Sequence, residues 1–492
     1  MKIIKNYTYL FIFFLLIGFA LRFINNFDQM YWLDEAYTLY LSDPSIPLND
    51  LLKKIFKIDD NPPIYFFILR MFNIFSYTPE NIRLSSIIFS ILSLLISIKF
   101  YENFLSKEEN FYAFLLLTFN IFLIWQSKEA RISSSVLFLS LVNLNIFFSY
   151  IKYNSKLYSL LLLFINLLSL SYYPFLITII FAQTIFVFLH CKKKYLDYFT
   201  LTIISLILFF LLNYYYLISN ISKTSHIGVF KFKFFINYFF KSFFGSIFLG
   251  GISLLIFAFG LINIILKKEK NSLVIFNIYL IIVTYSFIIL YSYFKAGIMV
   301  PRYFIFIIPS IILIIIKTLY QYKLLKYFYL FLTVANTFIL FDNFKIQKPK
   351  VSYLLNNIDT NLTKNFYINE DKFMDRYFIR SKLISKNLTY VRKKDLQSLN
   401  QFFFICLNHA EMHVGKNKNI QNKLQKFVQQ TKPNEPQRRK DAIEYIKELT
   451  KLVHSSYIQE STSDYMFLKT LEDATNESKY FGGFTRQAKE VL

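Results

Sequence analysis

Tyr303-Phe304-Ile305-Phe306-Ile307-Ile308-Pro309-Ser310-Ile311-Ile312-Leu313-Ile314-Ile315-Ile316 carries no charge and no alternation of polar with apolar residues. A helix on the surface of a soluble protein keeps a polar stripe, and a barrel strand alternates; this run does neither. Tyr9–Leu21 and Phe111–Ile124 read the same way. In a chain of 492 residues that is 55% hydrophobic and 20% aromatic, such runs belong in lipid. A spanning helix there needs ~20 mostly apolar residues. Only helices and closed barrels satisfy their backbone in a bilayer, so the fold class is a polytopic α-helical membrane protein.

Apolar segments lie near 7–26, 83–100, 111–126, 131–150, 157–171, 174–190, 197–217, 246–266, 272–293, 302–318 and 325–342, about eleven spans by length and hydropathy. Lys2 and Lys5 before the first of them suggest a signal peptide. No small-residue cleavage site follows, and Phe23, Asn25 and Phe27 stand there instead, so it is expected to be a retained span. The formal charge of +24 invites a nucleic-acid reading, but no basic block interleaved with aromatics stands apart. Short lysine clusters between apolar runs are topology signals or contacts to lipid phosphates. Two cysteines, Cys191 and Cys406, cannot form a disulfide framework if they lie on opposite faces.

Pro62–Phe75 is the ambiguous piece. At ~1.5 Å per residue it reaches ~21 Å, short of a ~30 Å hydrocarbon core. It also carries Arg70, with Asn61 as the expected N-cap and two prolines suited to a first turn. The positive-inside rule decides. If the piece does not span, one face collects Lys152, Lys156, Lys192-Lys193-Lys194, Lys267, Lys268, Lys270, Lys317, Lys323 and Lys326, as a cytoplasmic face should. Counting it as a span turns all of them outward. It is therefore expected to be a re-entrant or surface helix. Leu48–Lys57, with Leu48, Leu51, Leu52, Ile55 and Phe56 at helical spacing, is a second short amphipathic helix, either interfacial or a plain connector.

With that parity, Asp34-Glu35, Asp59-Asp60, Lys128-Glu129-Ala130-Arg131, Tyr172-Tyr173-Pro174 and Pro301-Arg302 share the outer face, which is the layout of a site at a membrane boundary. The outer loop between Ser219 and Gly245 is also basic, so the asymmetry is imperfect. The expected organisation is a transmembrane domain over 1–342, with 27–82 as its first outer loop, and a small outer α/β or α+β domain over 343–492. Phe366–Ile368, Leu388–Val391 and Phe402–Leu407 read as strands and Pro436–Ser456 as a charged helix. His409-Ala410-Glu411-Met412-His413 fails the zinc-protease pattern because the glutamate is not next to the first histidine; a solvated loop is expected.

Chemistry centres on Tyr31-Trp32-Leu33-Asp34-Glu35-Ala36-Tyr37-Thr38, two adjacent carboxylates among aromatics at the mouth of the first span. Asp34-Glu35 resembles the Asp-Glu motif of the GT-C membrane glycosyltransferases, closest to the protein O-mannosyltransferases and the lipid A aminoarabinose transferases. Asp60-Asn61-Pro62-Pro63-Ile64-Tyr65 resembles their Pro-Pro-Leu-Tyr element, with Asn61 where relatives often carry His or Lys. Ile82-Arg83-Leu84-Ser85-Ser86 is similar to their Arg-Leu-Pro-Ser, with Ser85 for the proline. Ser127-Lys128-Glu129-Ala130-Arg131 and Pro301-Arg302-Tyr303 with Pro309 resemble two further segments. Each is weak alone; five in order over roughly 1–340 are fairly specific.

The resemblance implies a polyprenyl-phosphate-linked sugar as donor and direct transfer with inversion, on the periplasmic face of a bacterial inner membrane, to a lipid, glycan or protein acceptor. It makes Asp34 the base and Glu35 its support, since an attacking hydroxyl or amine must lose a proton. The leaving phosphate needs fixed cations, for which Arg131, Lys295, Arg302 and Arg83 stand on the outer face, with Lys128 and Arg70 weaker; Asp60, Asn61 and Tyr65 fall in the substrate loop. The bland readings are solvated loop acids, helix caps, and arginines snorkelling to headgroups at span ends. Asp34, Glu35, Asp59 and Asp60 could together hold a divalent metal through hard oxygen ligands, and relatives differ in using one. The competing class is a transporter or flippase of lipid-linked sugars. It predicts paired repeats or interrupted helices with ionisable residues at the midplane, neither of which is evident.

Overall fold

The computed structural model describes residues 2–24, 33–58, 61–74, 79–153, 155–221, 241–266, 271–294 and 300–341, and four short strands beyond them. The helices are α1 (Lys2–Phe23), α2 (Leu33–Leu41), α3 (Leu48–Ile58), α4 (Pro63–Asn73), α5 (Pro79–Tyr101), α6 (Lys107–Thr118), α7 (Ile121–Ser127) and α8 (Ser133–Lys152). Then follow α9 (Lys156–Tyr172), α10 (Ile177–His190), α11 (Tyr195–Leu212), α12 (Tyr214–Ile221), α13 (Ile247–Leu266), α14 (Ser272–Phe294), α15 (Ile308–Leu319) and α16 (Lys323–Phe341). Short 3-10 turns precede α10 at Pro174–Leu176 and α15 at Pro301–Ile307. Among the described residues seven helices are long and apolar enough to cross a membrane, or eight if α6 and α7 form one bent span. Three shorter apolar helices, Tyr7–Phe23, Lys156–Tyr172 and Pro174–His190, fall on the remaining expected segments.

The chain divides into two units: Met1–Phe27 with Tyr37–Phe344, and Asp28–Ala36 with Lys345–Leu492. In the first unit the all-apolar run of the opening paragraph is the centre of the bundle. Ile305 to Ile316 are at most 2% exposed among their apolar members, and 83% of the Pro301–Leu319 window is buried, against 22% for the windows of α11 and α16. Surrounded by protein on nearly every side, this segment has no face left for lipid. Here α6, α13 and α14 pack on α15, and α8 on the turn before it. Gly260 of α13 permits the closest approach: a Cβ there would lie 2.1 Å from Thr318 Oγ1 and 3.3 Å from the Ile314 carbonyl of α15.

Polar side chains tie the outer helices together. Asn143 of α8 donates to Asn166 Oδ1 at 2.9 Å and Ser169 Oγ at 3.2 Å on α9. Gln183 of α10 donates to Asn143 Oδ1 at 2.8 Å and accepts from the Tyr198 hydroxyl of α11 at 2.8 Å. Interhelical bonds of this kind contribute ~0.6–2 kcal/mol each in a membrane, where lipid tails supply no competing partner.

The segment expected as one span over 111–126 is two helices, bent by 55° between Thr118 and Ile121. A capping box of Ser106 and Glu109 starts α6, and Asn120 Oδ1 accepts from Leu123 N at 2.9 Å to start α7. A break inside the apolar layer frees carbonyls that must find donors. Arg22 of α1, wholly buried, supplies most of them. Its Nε donates to Ser90 Oγ at 2.8 Å, one terminal nitrogen to the Gly18 and Thr118 carbonyls at 3.0 and 3.2 Å, and the other to the Leu117 carbonyl at 3.4 Å. Thr337 of α16 serves the Phe119 carbonyl, and Asn120 Nδ2 donates to the Phe243 carbonyl at 2.9 Å. The cation also sits at the negative end of α6.

Pro63–Asn73 is a helix of 11 residues, short as expected. Its N-cap is Pro62 in extended conformation (φ −62, ψ 155) with no side-chain cap, not Asn61; the proline ring holds φ while Pro63 takes the first helical position. In α3 the central apolar residues Leu51 and Ile55 are fully buried and the helix packs on α12, while Leu48 stays exposed.

In the second unit four strands, β1 (Asn365–Ile368), β2 (Thr389–Tyr390), β3 (Phe402–Cys406) and β4 (Glu411–Gly415), form a sheet in the order β2-β1-β3-β4. β1 pairs in parallel with β2 and β3, and β3 with β4 antiparallel. β4 corrects the expected loop: His413 is a strand residue opposite Phe404. His409 and the expected helix at Pro436–Ser456 lie outside the described residues.

Candidate functional site

Asp34 and Glu35 are the second and third residues of α2. The free N–H groups of a helix's first turn favour acidic side chains there. Glu35 is 1% exposed. Asp34's side chain, Asp59, Asp60 and Lys295 lie outside what the structure describes. The C-terminal end of α2 is gripped by α4. Asn73 Nδ2 donates to the Ser42 carbonyl at 3.1 Å and to Ser42 Oγ at 3.0 Å, and Arg70 donates to the Pro44 carbonyl at 2.6 Å. The Ser42 hydroxyl in turn caps the Thr38 and Leu39 carbonyls at 2.8 and 3.0 Å. Arg70, a weaker cation candidate from sequence, is thus engaged in holding this corner.

Arg83 is fully buried on α5. One turn later Ser86 Oγ donates to the Arg131 carbonyl at 3.5 Å, which joins the start of α5 to the segment between α7 and α8. Arg131 is half-buried, its backbone folded on the Glu129 carbonyl at 2.8 Å. Lys128 is 2% exposed; its ammonium donates to the Ile24 carbonyl just past α1 at 2.9 Å and lies 4.0 Å from the centre of the Phe341 ring. That geometry fits a cap for α1 better than an exposed phosphate contact. Arg302, half-buried, lies with its guanidinium 5.9 Å from the Tyr303 ring centre. Asn61 is half-buried beside α4, and Tyr65 is 3% exposed.

The structure therefore brings Tyr65, Arg83, Arg131 and Arg302 into the first unit, while Asp34 and Glu35 are grouped with the second. The link the sequence left unassigned is Tyr172-Tyr173-Pro174-Phe175. The Tyr172 ring meets Tyr65 edge-on at 6.1 Å and its hydroxyl donates to Ser135 Oγ at 2.5 Å. The Tyr173 hydroxyl donates to the Tyr303 carbonyl at 3.3 Å, and Phe175 stacks on the Tyr303 ring at 5.8 Å. Burial holds the Tyr173 hydroxyl well above the ordinary tyrosine range. Sequence parity placed these tyrosines on the outer face; nothing in their spacing announced their partners. Among the described residues no group of three or more His, Cys, Asp or Glu is placed to hold a metal, and of the four acids named above only Glu35 has a described side chain.

No family model matches the sequence, and no curated protein matches it either. The fold does have a solved counterpart. The crystal structure of ArnT from Cupriavidus metallidurans bound to undecaprenyl phosphate superimposes with a TM-score of 0.51 at 9% identity, covering 80% of this chain and 92% of that one. The chain shares the fold of that protein, and its long apolar helices make it an integral membrane protein.

Proposed function

We propose that this protein is an inverting glycosyltransferase that moves a hexosyl or pentosyl group from a polyprenyl-phosphate donor to an acceptor on the outer, periplasmic face of the membrane. The observation that carries this is the ArnT-like fold over 80% of the chain, in which the Asp34-Glu35 pair opens the first helix after the first apolar segment. Asp34 takes the proton from the acceptor hydroxyl or amine as its lone pair attacks the anomeric carbon. The carbon–oxygen bond to phosphate breaks on the opposite side, and the polyprenyl phosphate leaves with the bonding electrons. One displacement inverts the configuration. Glu35, buried beside Asp34 in sequence, orients it. Arg131 and Arg302, with Arg83 and Lys295, receive the phosphate charge that grows as the bond breaks.

The test is sugar transfer by the purified protein from synthetic polyprenyl-phosphate sugars to envelope-lipid and glycan acceptors. Asp34→Asn is expected to lose transfer by at least about a hundredfold, the scale of a general base, while remaining folded. Native-rate transfer by that variant would remove Asp34 from the base role. Arg302→Ala should raise donor KM more than acceptor KM, and an equal rise in both would remove Arg302 from the phosphate site.

A further inference from the structure

Proline restricts the residue before it to extended backbone. Tyr173, before Pro174, adopts φ −152 and ψ 100, directly after the last helical residue of α9, Tyr172. One extended residue at a helix end sends two adjacent side chains in different directions. Tyr172 goes to Ser135 in the first turn of α8 and to Tyr65 of α4. Tyr173 goes to the carbonyl of Tyr303, the residue after Arg302, and Phe175 then clasps the Tyr303 ring from the following 3-10 turn. Both tyrosines are buried, at 3% and 4% exposed, so neither offers its hydroxyl to solvent or to a bound donor. Their hydroxyls act on protein groups.

The partners are not arbitrary. Ser135 stands four residues beyond Arg131, and the Tyr303 carbonyl belongs to the peptide that follows Arg302. Tyr65 is the tyrosine of the Pro-Pro-Ile-Tyr stretch on α4. Four consecutive residues thus fasten three segments that lie far apart in sequence, and these segments carry two of the cations assigned above to the donor phosphate.

We propose that Tyr173, with Tyr172 as its counterpart, is a positioning residue for donor recognition, its hydroxyl holding the Tyr303 backbone and with it the place of Arg302, while Tyr172 holds the segment that carries Arg131. This rests on the glycosyltransferase reading. The hydroxyl does no chemistry on the sugar. Its hydrogen bond instead fixes the peptide that follows Arg302, and through it where that guanidinium is held.

The experiment uses the full-length protein in detergent or nanodiscs, with a polyprenyl-phosphate sugar as donor and undecaprenyl phosphate alone as a binding probe. Tyr173→Phe keeps the ring and removes one neutral hydrogen bond, so donor KM and the undecaprenyl-phosphate dissociation constant should rise about two- to tenfold. Acceptor KM should not move. In an Arg302→Ala background Tyr173→Phe should add nothing, because its effect runs through that guanidinium. Ser135→Ala, which leaves both tyrosines in place, should raise donor KM in the same sense through the Arg131 segment. A merely structural hydroxyl would instead lower thermal stability with donor KM and probe affinity unchanged, and that result overturns the proposal, as would additivity with Arg302→Ala. A wild-type protein that neither transfers sugar nor binds undecaprenyl phosphate sinks the underlying reading and this inference with it. Wild-type activity with an indifferent Tyr173→Phe sinks the inference alone.

Discussion

Replacing Arg22 tests how the broken span is held, and the two informative replacements give an order that runs against chemical similarity. Arg22 makes four hydrogen bonds from three nitrogens while wholly buried. A bond from a charged donor contributes ~1.5–3 kcal/mol, and a buried acceptor left alone costs ~1–3 kcal/mol. Arg22→Lys keeps the charge but gathers its donors on one nitrogen. That nitrogen cannot serve Ser90 on the Nε side and the Thr118 and Leu117 carbonyls beyond the guanidinium together. Losing two bonds under a charge that stays buried amounts to about 3–6 kcal/mol. Arg22→Met removes the charge too. The Leu117 carbonyl still receives the Asn120 amide at 3.4 Å, so the chief loss is the Thr118 carbonyl, about 1–3 kcal/mol. The expected order of stability is wild type, then Met, then Lys. It is measured as the folded fraction surviving a temperature series in detergent, by size-exclusion chromatography. A lysine variant as stable as the methionine variant, or a methionine variant equal to wild type, would refute the argument that the guanidinium is there for the carbonyls of the break.

Two further predictions concern other parts of the bundle. Hydrogen bonds from Tyr320 (2.8 Å) and Lys326 (3.2 Å) hold the Glu108 carboxyl below its ordinary range, and the interaction pushes the Tyr320 hydroxyl up to about 12. A depressed carboxylate contributes stability above its unfolded pKa of ~4.3 and loses it as pH falls through the folded value. Glu108→Gln should therefore cost about 0.5–1 kcal/mol at neutral pH, since Glu108 is 41% exposed and screened, and the gap to wild type should close in acid; a gap that persists at acid pH contradicts the assignment. Gly260→Ala should destabilise by about 1–3 kcal/mol because its Cβ meets Thr318 at 2.1 Å, whereas Gly251→Ala, with nothing within 4 Å, should be neutral or stabilising; equal melting shifts would show that the α13–α15 contact can give way.

The spans were legible because lipid imposes one rule on every residue in them, and a run such as Tyr303–Ile316 obeys it without exception. The bend between α6 and α7 was not legible. Phe119-Asn120 contains neither proline nor glycine, and the break persists through partners near 22, 243 and 337, which no local pattern discloses. The N-cap of α4 was misplaced by one residue, since Asn61 is the better cap by side chain but Pro62 already has the required backbone. β4 was missed because the alternation of Glu411-Met412-His413-Val414 is only four residues long and the strand takes its identity from pairing with β3. In the site, charged residues announced themselves by being out of place near a membrane. Tyr172 and Tyr173 did not, because aromatics are the ordinary material of this chain, with 37 tyrosines and 60 phenylalanines.

The staples on the broken span also give the protein a birth order. Carbonyls facing hydrocarbon cost several kcal/mol each, so the bend cannot persist in the bilayer before its donors arrive. α1 leaves the ribosome before α6, and the guanidinium of Arg22 is already in place when Thr118 is inserted. The Phe119 carbonyl must wait for Thr337, on α16. Helices α1 and α16, far apart in the order of synthesis, thus close on the same bend, so the bend is complete only after the helices between them have been inserted.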